Sequence, residues 1–238
     1  VDAGGWNACA VLDDGSLKCW GYNNYGQVVS GSTTAYSSPQ IVNLGTGRTA
    51  VSVTTGGTHA CAILDNASLK CWGHNGLGNL GLGYTTTSEP PQIVNLGTGR
   101  TAVSVISGQS HTCAILDNAS LKCWGYNYYG QLGLGTYGNG PNWIYKTPQN
   151  VNLGSGRTAV SVTANWQHTC AISDAASLKC WGANVVGQLG LGNFSDVSPY
   201  PSPVEGLFGL NLNQTGSIIG KPRVAAPWTT YTLWANNS

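Results

Sequence analysis

The sequence has 238 residues, of which only 8% are charged, and its formal net charge is +1. A typical soluble domain has about 25% charged residues. A domain that binds nucleic acid by electrostatics has a basic patch, and this sequence has no basic run, so electrostatic binding of nucleic acid is excluded. Apolar residues make up 41% of the chain, enough for a core, but no apolar run is long enough for a membrane-spanning helix.

One pattern occurs four times along the chain. Each copy contains a stretch of the type CAILDNASLKCWG, and the copies begin 52 to 57 residues apart at Cys9, Cys61, Cys113 and Cys170. The repeats cover about residues 1–50, 51–102, 103–159 and 160–204, and the rhythm changes in residues 205–238. The first repeat lacks most of a strand that the others carry, and the chain has no methionine, so we expect a mature or excised fragment.

Each repeat contains four strand-like segments. In the second repeat they are residues 50–53, 60–64, 69–72 and 92–96, separated by turn formers and a glycine-rich loop. Four short strands in each of several consecutive repeats of about fifty residues are typical of β-propeller blades. We therefore predict an all-β fold made of propeller-type repeats of about 52 residues, with four blades present.

The second and third strand-like segments of each repeat carry the cysteines and are predicted to form a β-hairpin. Folding the second copy about Asn66 places Cys61 opposite Cys71, with Cβ atoms about 4.5–5.5 Å apart, close to disulfide reach. The same separation recurs in every copy, so we predict the disulfides Cys9–Cys19, Cys61–Cys71, Cys113–Cys123 and Cys170–Cys180. The alternatives are eight reduced buried thiols or a zinc site, and zinc is disfavoured because no Cys-x-x-Cys spacing occurs. Paired cysteines and low charge favour an extracellular or cell-surface location.

Aromatic residues concentrate in the glycine-rich loops and in the loops before the second strand of a repeat. The third repeat also carries five extra residues within 136–146. Tyr and Trp provide rigid contact area with a polar tip, which suits protein or sugar surfaces. The alternative is that they only cover exposed apolar surface. We predict a binding surface formed by Trp6, Tyr22, Tyr25, Tyr126, Tyr128, Tyr129, Trp143, Tyr145 and Trp166.

Five Asn-x-Ser/Thr sequences are candidate N-glycosylation sites. They begin at Asn66, Asn118, Asn193, Asn213 and Asn236. Asn66 and Asn118 fall on the predicted hairpin turn, where a glycan would project into solvent. Asn and Ser are also favoured in turns for their hydrogen bonding alone, so the pattern has a purely structural alternative.

Two segments of the third repeat resemble a known repeat. Residues 108–112 read GQSHT and residues 124–135 read WGYNYYGQLGLG, and residues 181–192 match equally well. They resemble the regulator of chromosome condensation (RCC1) family, in the cysteine-bearing form of secreted and surface proteins. The resemblance covers about residues 1–204 and implies a propeller, usually of seven blades. The departures are Asn7 for His, Val28-Val29 for Leu-Gly and Asn79 for Gln.

The last part of the chain shows a second resemblance. Residues 206–238 are similar to part of an immunoglobulin-like surface domain and carry motifs of the type Gly-Leu-x-Leu, Thr-Gly-x-Ile-x-Gly-x-Pro and Thr-Tyr-Thr. Lys221 stands in the second motif where Thr is usual. We therefore expect residues 205–238 to form a partial immunoglobulin-like β domain or a tail.

Catalytic chemistry is sparse in this sequence. His59, His111 and His168 recur at one blade position and are predicted to make structural hydrogen bonds rather than a metal ring. The recurring Asp13, Asp65, Asp117 and Asp174 are predicted to cap the hairpin turns. A glycosidase needs two carboxylates facing one bond, and Glu89 with Asp196 is a candidate pair that no motif supports. We expect no catalytic residues, no cofactor and no metal.

Three functions remain from these observations. The leading one is an extracellular, non-catalytic binding or adhesion module of a larger protein, which recognises a protein or a glycan through the loop aromatics. The alternatives are a polymer-acting hydrolase on a propeller scaffold and an inhibitor or exchange factor of RCC1-like type. An open arc of four blades would expose two apolar faces, so further blades from a longer chain, or self-association, are also predicted.

Overall fold

The computed structural model describes residues 1–138, 140, 143–204, 211–212 and 218–219. Sixteen of its strands form four four-stranded antiparallel sheets, each in chain order, which confirms the predicted blades. Blade 1 comprises β1 (Asp2–Ala3), β2 (Asn7–Val11), β3 (Leu17–Gly21) and β4 (Tyr36–Ile41). Blade 2 comprises β5 (Ala50–Thr55), β6 (His59–Leu64), β7 (Leu69–Gly73) and β8 (Glu89–Ile93).

The other two blades repeat this arrangement. Blade 3 comprises β9 (Ala102–Ser107), β10 (His111–Leu116), β11 (Leu121–Tyr126) and β12 (Ile144–Asn150). Blade 4 comprises β13 (Ala159–Asn165), β14 (His168–Ser173), β15 (Leu178–Ala183) and β16 (Val197–Pro203). A further pair, β17 (Asn211–Leu212) and β18 (Ile218–Ile219), is antiparallel. The predicted immunoglobulin-like segment otherwise lies outside the described residues.

The fourth strand of the second repeat differs from its prediction. In blade 2 the apolar pattern predicted residues 92–96, whereas β8 is Glu89–Ile93. Val94 and Leu96 are nevertheless buried, because the chain turns inward beyond β8 and packs them into the core. Prolines are frequent in these outermost strands, and they suit an edge because proline cannot donate a ladder hydrogen bond.

Each core cluster is shared by two neighbouring blades. Cys9, Leu17 and Cys19 of blade 1, for example, pack with Leu64 and Trp72 of blade 2. The inner strands β1, β5, β9 and β13 pack successively along the series. No comparable packing joins blade 4 to blade 1 among the described residues, so the four blades form an open arc. That further blades or a second copy cover its open faces stays a prediction.

Hydrogen bonds join blade 2 to blade 3 through what we call the His–Thr latch. Thr112 Oγ1 donates to the Asn79 carbonyl oxygen at 2.9 Å and lies 2.9 Å from His59 Nε2. Because the hydroxyl proton is already used, His59 Nε2 must be the donor in the second bond. Trp124 Nε1 donates to the same carbonyl at 2.9 Å. This latch confirms the predicted structural role of the histidine.

The latch is repeated between blades 3 and 4 but is absent between blades 1 and 2. His111, Thr169, Trp181 and the Gln131 carbonyl form the repeated version. At the first interface Asn7 and Ala60 occupy the positions of the histidine and the threonine. The indole of Trp72 still donates to the Gln27 carbonyl. The departure of Asn7 from the family pattern is therefore matched by its neighbour across the interface.

The cysteine-bearing hairpins have the predicted register. Cys61 faces Cys71 across the ladder, with Cα atoms 4.0 Å apart, and they are bonded. The other three disulfides are those predicted: Cys9–Cys19, Cys113–Cys123 and Cys170–Cys180. A three-residue turn closes each hairpin, and in blade 2 Ala67 takes its last position with φ of 60°.

The prediction that the recurring aspartates cap this turn is wrong for Asp65, Asp117 and Asp174. The turn itself is closed by the next residue, since Asn66 Oδ1 accepts bonds from the Ser68 amide and hydroxyl. Asp65 instead pairs with Arg48 at 3.3 Å and accepts a bond from the Thr49 amide. It therefore fastens the start of the inner strand, and Asp117 and Asp174 do the same in their blades.

Candidate binding surface

The antiparallel order of the strands gives each blade two distinct ends. The loop from the first to the second strand and the loop from the third to the fourth strand lie at one end, which we call the upper face. The cysteine-hairpin turns and the connections between blades lie at the other end, the lower face. All the predicted binding aromatics except Tyr145 lie in or beside upper-face loops.

Buried amides hold the upper-face loops in shape. In blade 3, Asn127 Oδ1 accepts a bond from the Leu132 amide at 3.0 Å, and its Nδ2 donates to the Thr136 carbonyl at 2.9 Å. Gln131 Oε1 accepts a bond from the Tyr129 amide at 3.0 Å. Since Asn127 and Gln131 are fully buried, the loop is pinned from within and its tip residues are left at the surface.

The departure from the family pattern in blade 2 preserves this scaffold. Asn79 stands where the other loops have glutamine, and its Oδ1 still accepts a bond from the Leu77 amide, at 3.2 Å. The two residues at the tip of each of these loops, which we call the tip pair, differ from blade to blade on the same framework. They are Asn24-Tyr25, Gly76-Leu77, Tyr128-Tyr129 and Val185-Val186.

The first aromatic cluster comprises Trp6, Tyr22, Tyr25 and His74. Trp6 and Tyr22 have ring centroids 5.3 Å apart, and the Tyr22 amide donates to the Trp6 carbonyl at 2.8 Å, which joins the two loops. Tyr25 lies 6.5 Å from Tyr22 and 4.6 Å from the ring of His74 in blade 2. Partial burial lowers the pKa of His74, which favours the neutral ring against Tyr25. His74 was not among the predicted binding residues.

The second aromatic cluster comprises Tyr126, Tyr128, Tyr129 and Trp143. Tyr126 is at its centre, 6.2 Å from Tyr128, 6.5 Å from Tyr129 and 6.0 Å from Trp143. Burial, and then the neighbouring Tyr129 and Tyr128, raise the pKa of Tyr126, so it stays a neutral hydrogen-bonding group. The five-residue insertion thus brings Trp143 against the tyrosines of its own loop.

Tyr145 and Trp166 occupy different environments from these clusters. Tyr145 lies in β12, packs against the core shared by blades 3 and 4, and bonds to Thr136 Oγ1 at 2.9 Å through its hydroxyl. Its position does not support the prediction that it belongs to the binding surface. Trp166, in contrast, is 64% exposed in the loop between β13 and β14.

Sequence reasoning missed an apolar group on the upper face of blade 4. Val185, Val186 and Phe194 are 56%, 75% and 78% exposed, and the Phe194 ring lies close to Gly187 in the same loop. The predicted binding surface contained only tyrosines and tryptophans, so it included neither the two valines nor Phe194. Alignment of the tip pairs would have found the valines, because Val185 and Val186 occupy the positions of Tyr128 and Tyr129.

A cavity of about 490 Å³ opens on the upper face of the arc. Its wall comes from the ends of the inner strands and the loops that follow them in all four blades. Trp6 and Trp166 are among its lining residues, and glycines contribute much of the remainder. Asp2 is the only charged residue of this wall, and its carboxylate already accepts two bonds from Thr55. The cavity therefore suits a neutral group rather than an anion.

The described residues contain no cluster of three or more His, Cys, Asp or Glu side chains placed to hold a metal ion. In the same part of the chain no helix has the length and apolar character needed to cross a membrane. Glu89 begins β8 in blade 2, whereas Asp196 precedes β16 in blade 4, so blade 3 separates the two carboxylates. This separation argues against their acting together on one glycosidic bond.

The blades and their interfaces define a propeller-type repeat protein. One profile of the regulator of chromosome condensation (RCC1) repeat matches residues 71–115 and 123–172, and a second matches 1–27, 50–79, 101–131 and 159–188. The chain belongs to the RCC1 repeat family.

Two curated proteins illustrate its relatives. The ultraviolet-B receptor UVR8 of Arabidopsis thaliana is 30% identical over 82% of this chain and 43% of its own length. The probable E3 ubiquitin-protein ligase HERC3 of Homo sapiens is 30% identical over 90% of this chain and 20% of its own length. The chain thus spans less than half of either relative, so neither whole-protein activity is transferred to it.

Solved structures show the same fold. Human WBSCR16 matches with a TM-score of 0.73 at 21% identity, over 85% of this chain and 51% of that one. Yeast RCC1 (Prp20), solved bound to Kap60, matches with a TM-score of 0.72 at 18% identity, over 87% of this chain and 49% of that one. Both likenesses show that this chain shares the propeller fold of these proteins.

Proposed function

We propose that this chain is a non-catalytic, extracellular binding module that recognises a protein through its upper face. The observation that carries the proposal is the collection of aromatic and apolar side chains on that face, in two aromatic clusters and the Val185–Val186–Phe194 group. Exposed aromatic anchors are the residues that most often dominate protein interfaces. The tip pairs vary while the buried amide scaffold repeats, which is the arrangement of a constant frame with variable contact residues.

The disulfides support an extracellular setting. They close four hairpins in a chain with only 8% charged residues. Disulfides persist in oxidising compartments and are rare where glutathione keeps thiols reduced. RCC1-like relatives are mostly intracellular, so this chain would be a secreted use of the fold.

A binding experiment tests the upper face directly. The purified oxidised chain is applied to an array of extracellular proteins and to a glycan array, and each binder is then titrated by biolayer interferometry. We expect Trp6→Ala, Trp143→Ala and Phe194→Ala each to raise the Kd for a protein about tenfold or more, as for interface anchors. Ile41→Ala and Ile93→Ala are the controls, because both side chains are exposed but lie on outermost strands.

The outcomes separate the candidate functions. A glycan that binds with the same dependence on Trp6 and Trp143 assigns the face to carbohydrate instead of protein. Binding that survives all three upper-face variants, or that responds equally to the controls, rejects the proposal. Turnover in a panel of polysaccharide substrates would favour the hydrolase alternative.

A further inference from the structure

The hairpin turns of the lower face place two asparagines at corresponding tips. Asn66 in blade 2 and Asn118 in blade 3 each begin an Asn-Ala-Ser sequence, and both side chains are exposed. The carboxylates beside them are turned away from the tip, since Asp65 and Asp117 pair with Arg48 and Arg100. Each asparagine therefore presents an exposed side chain on a short turn.

The turn holds together the asparagine and the serine of each Asn-Ala-Ser sequence. Asn66 Oδ1 accepts bonds from the Ser68 amide at 3.2 Å and from the Ser68 hydroxyl at 2.7 Å. Asn118 repeats both contacts with Ser120, at 3.2 and 2.7 Å. Among the hydrogen bonds of the described residues, neither Nδ2 is used as a donor, so the amide nitrogen of each remains available at the tip.

The third described sequence of this type is built differently. Asn193 lies in an upper-face loop, and its Oδ1 accepts bonds from the Asn184 side chain and the Ser195 amide. Its Nδ2 points back to the Leu191 carbonyl at 3.4 Å. Asn193 is thus part of the loop scaffold, on the face that we assign to ligand binding.

We infer that Asn66 and Asn118 are acceptors for N-linked glycans, so that sugar covers the lower face and leaves the upper face bare. The inference rests on the extracellular setting of the proposed function. The donor is an oligosaccharide carried on a lipid pyrophosphate. The Nδ2 atom forms a bond to the anomeric carbon as the bond from that carbon to the phosphate oxygen breaks, and the proton lost from Nδ2 leaves with the lipid pyrophosphate.

Two of the four blades provide matched positions for a gain-of-site test. Blade 1 has Asp14 followed by Gly15-Ser16 at this turn, and blade 4 has Ala175 followed by Ala176-Ser177. Asp14→Asn and Ala175→Asn each create an acceptor sequence on the same turn. If the turn presents the acceptor, each substitution should add one glycan.

The test is expression through the secretory pathway of a eukaryotic cell line, followed by intact mass and peptide mapping before and after peptide N-glycosidase. We expect sugar on Asn66 and Asn118 and much less on Asn193. Asn66→Gln, Asn118→Gln and Ser68→Ala should each remove one glycan. A secreted chain with both sites bare, or with Asn193 occupied as fully as they are, overturns the inference. So does the absence of added sugar in both the Asp14→Asn and Ala175→Asn variants.

Failure of this inference is distinguishable from failure of the proposed function. Ligand titrations are repeated on the chain treated with peptide N-glycosidase, which should bind with the same Kd because its sugars lie on the opposite face. Bare asparagines with ligand binding that still depends on Trp6 would reject only the glycan sites. Occupied asparagines with no dependence on Trp6 would reject only the upper-face function.

Discussion

Removing one hydroxyl from the His–Thr latch provides a sensitive test of how the blades are joined. Thr112→Val keeps the shape of the side chain but removes both the acceptor for His59 Nε2–H and the donor to the Asn79 carbonyl. The His59 ring is fully buried, and its Nδ1 has no hydrogen-bond partner in the described structure, so the substituted protein leaves the ring with no bond at all.

The cost follows from this burial. A buried donor left unsatisfied costs about 1–3 kcal/mol. The Asn79 carbonyl keeps its bond from Trp124, so no large penalty arises at that end. We therefore expect the free energy of unfolding to fall by about 2 kcal/mol in Thr112→Val. The equivalent Thr169→Val should have a similar effect at the next interface.

Urea unfolding of the oxidised chain, followed by tryptophan fluorescence, measures the change. Thr87→Val is the control, since Thr87 is exposed and makes no hydrogen bond through its side chain among those of the described residues. If Thr112→Val lowers the stability by no more than Thr87→Val, the latch does not join the blades as argued. A double variant with His59→Leu should recover part of the loss, because it removes the orphaned ring.

Three further results are expected. Burial lowers the pKa of His59 and His111 to about 3, below the unfolded value of about 6.5, so the unfolded chain binds more protons between these values. The contribution of the neutral, buried rings to the free energy of unfolding should therefore be fully present above about pH 6.5. It should fall by about 1.4 kcal/mol per pH unit for each ring as the pH drops toward 3, which urea titrations at stepped pH would measure. A flat profile would contradict the burial. Ala67→Gly should raise the unfolding free energy by about 0.5–1 kcal/mol, because Ala67 has a positive φ that glycine adopts without steric cost. A loss of stability in thermal denaturation would contradict this reasoning. Trp143→Ala should weaken ligand binding with little change in Tm, whereas Tyr145→Ala should lower Tm by several degrees with unchanged Kd, and the reverse pattern would exchange their roles.

Local features of this protein were predictable from its sequence. Cys61 and Cys71 belong to one hairpin, so a ten-residue separation and the alternation of side chains were enough to place them face to face. The same holds for the four-strand blades, whose turns and strands lie within one repeat. The repetition reinforced each prediction, because every element had to suit four copies. The aromatic character of the upper-face loops was visible for the same reason.

Contacts between blades were decided by the tertiary structure alone. His74 joins the first aromatic cluster because its ring meets Tyr25 of the preceding blade, a pairing that no spacing within a repeat predicts. Tyr145 follows the strand-like run of its own repeat, yet it packs into a core that blade 4 completes. The His–Thr latch likewise joins residues 53 positions apart. Hairpin geometry acts over a few residues of chain, whereas these side chains are placed by how one sheet lies against the next.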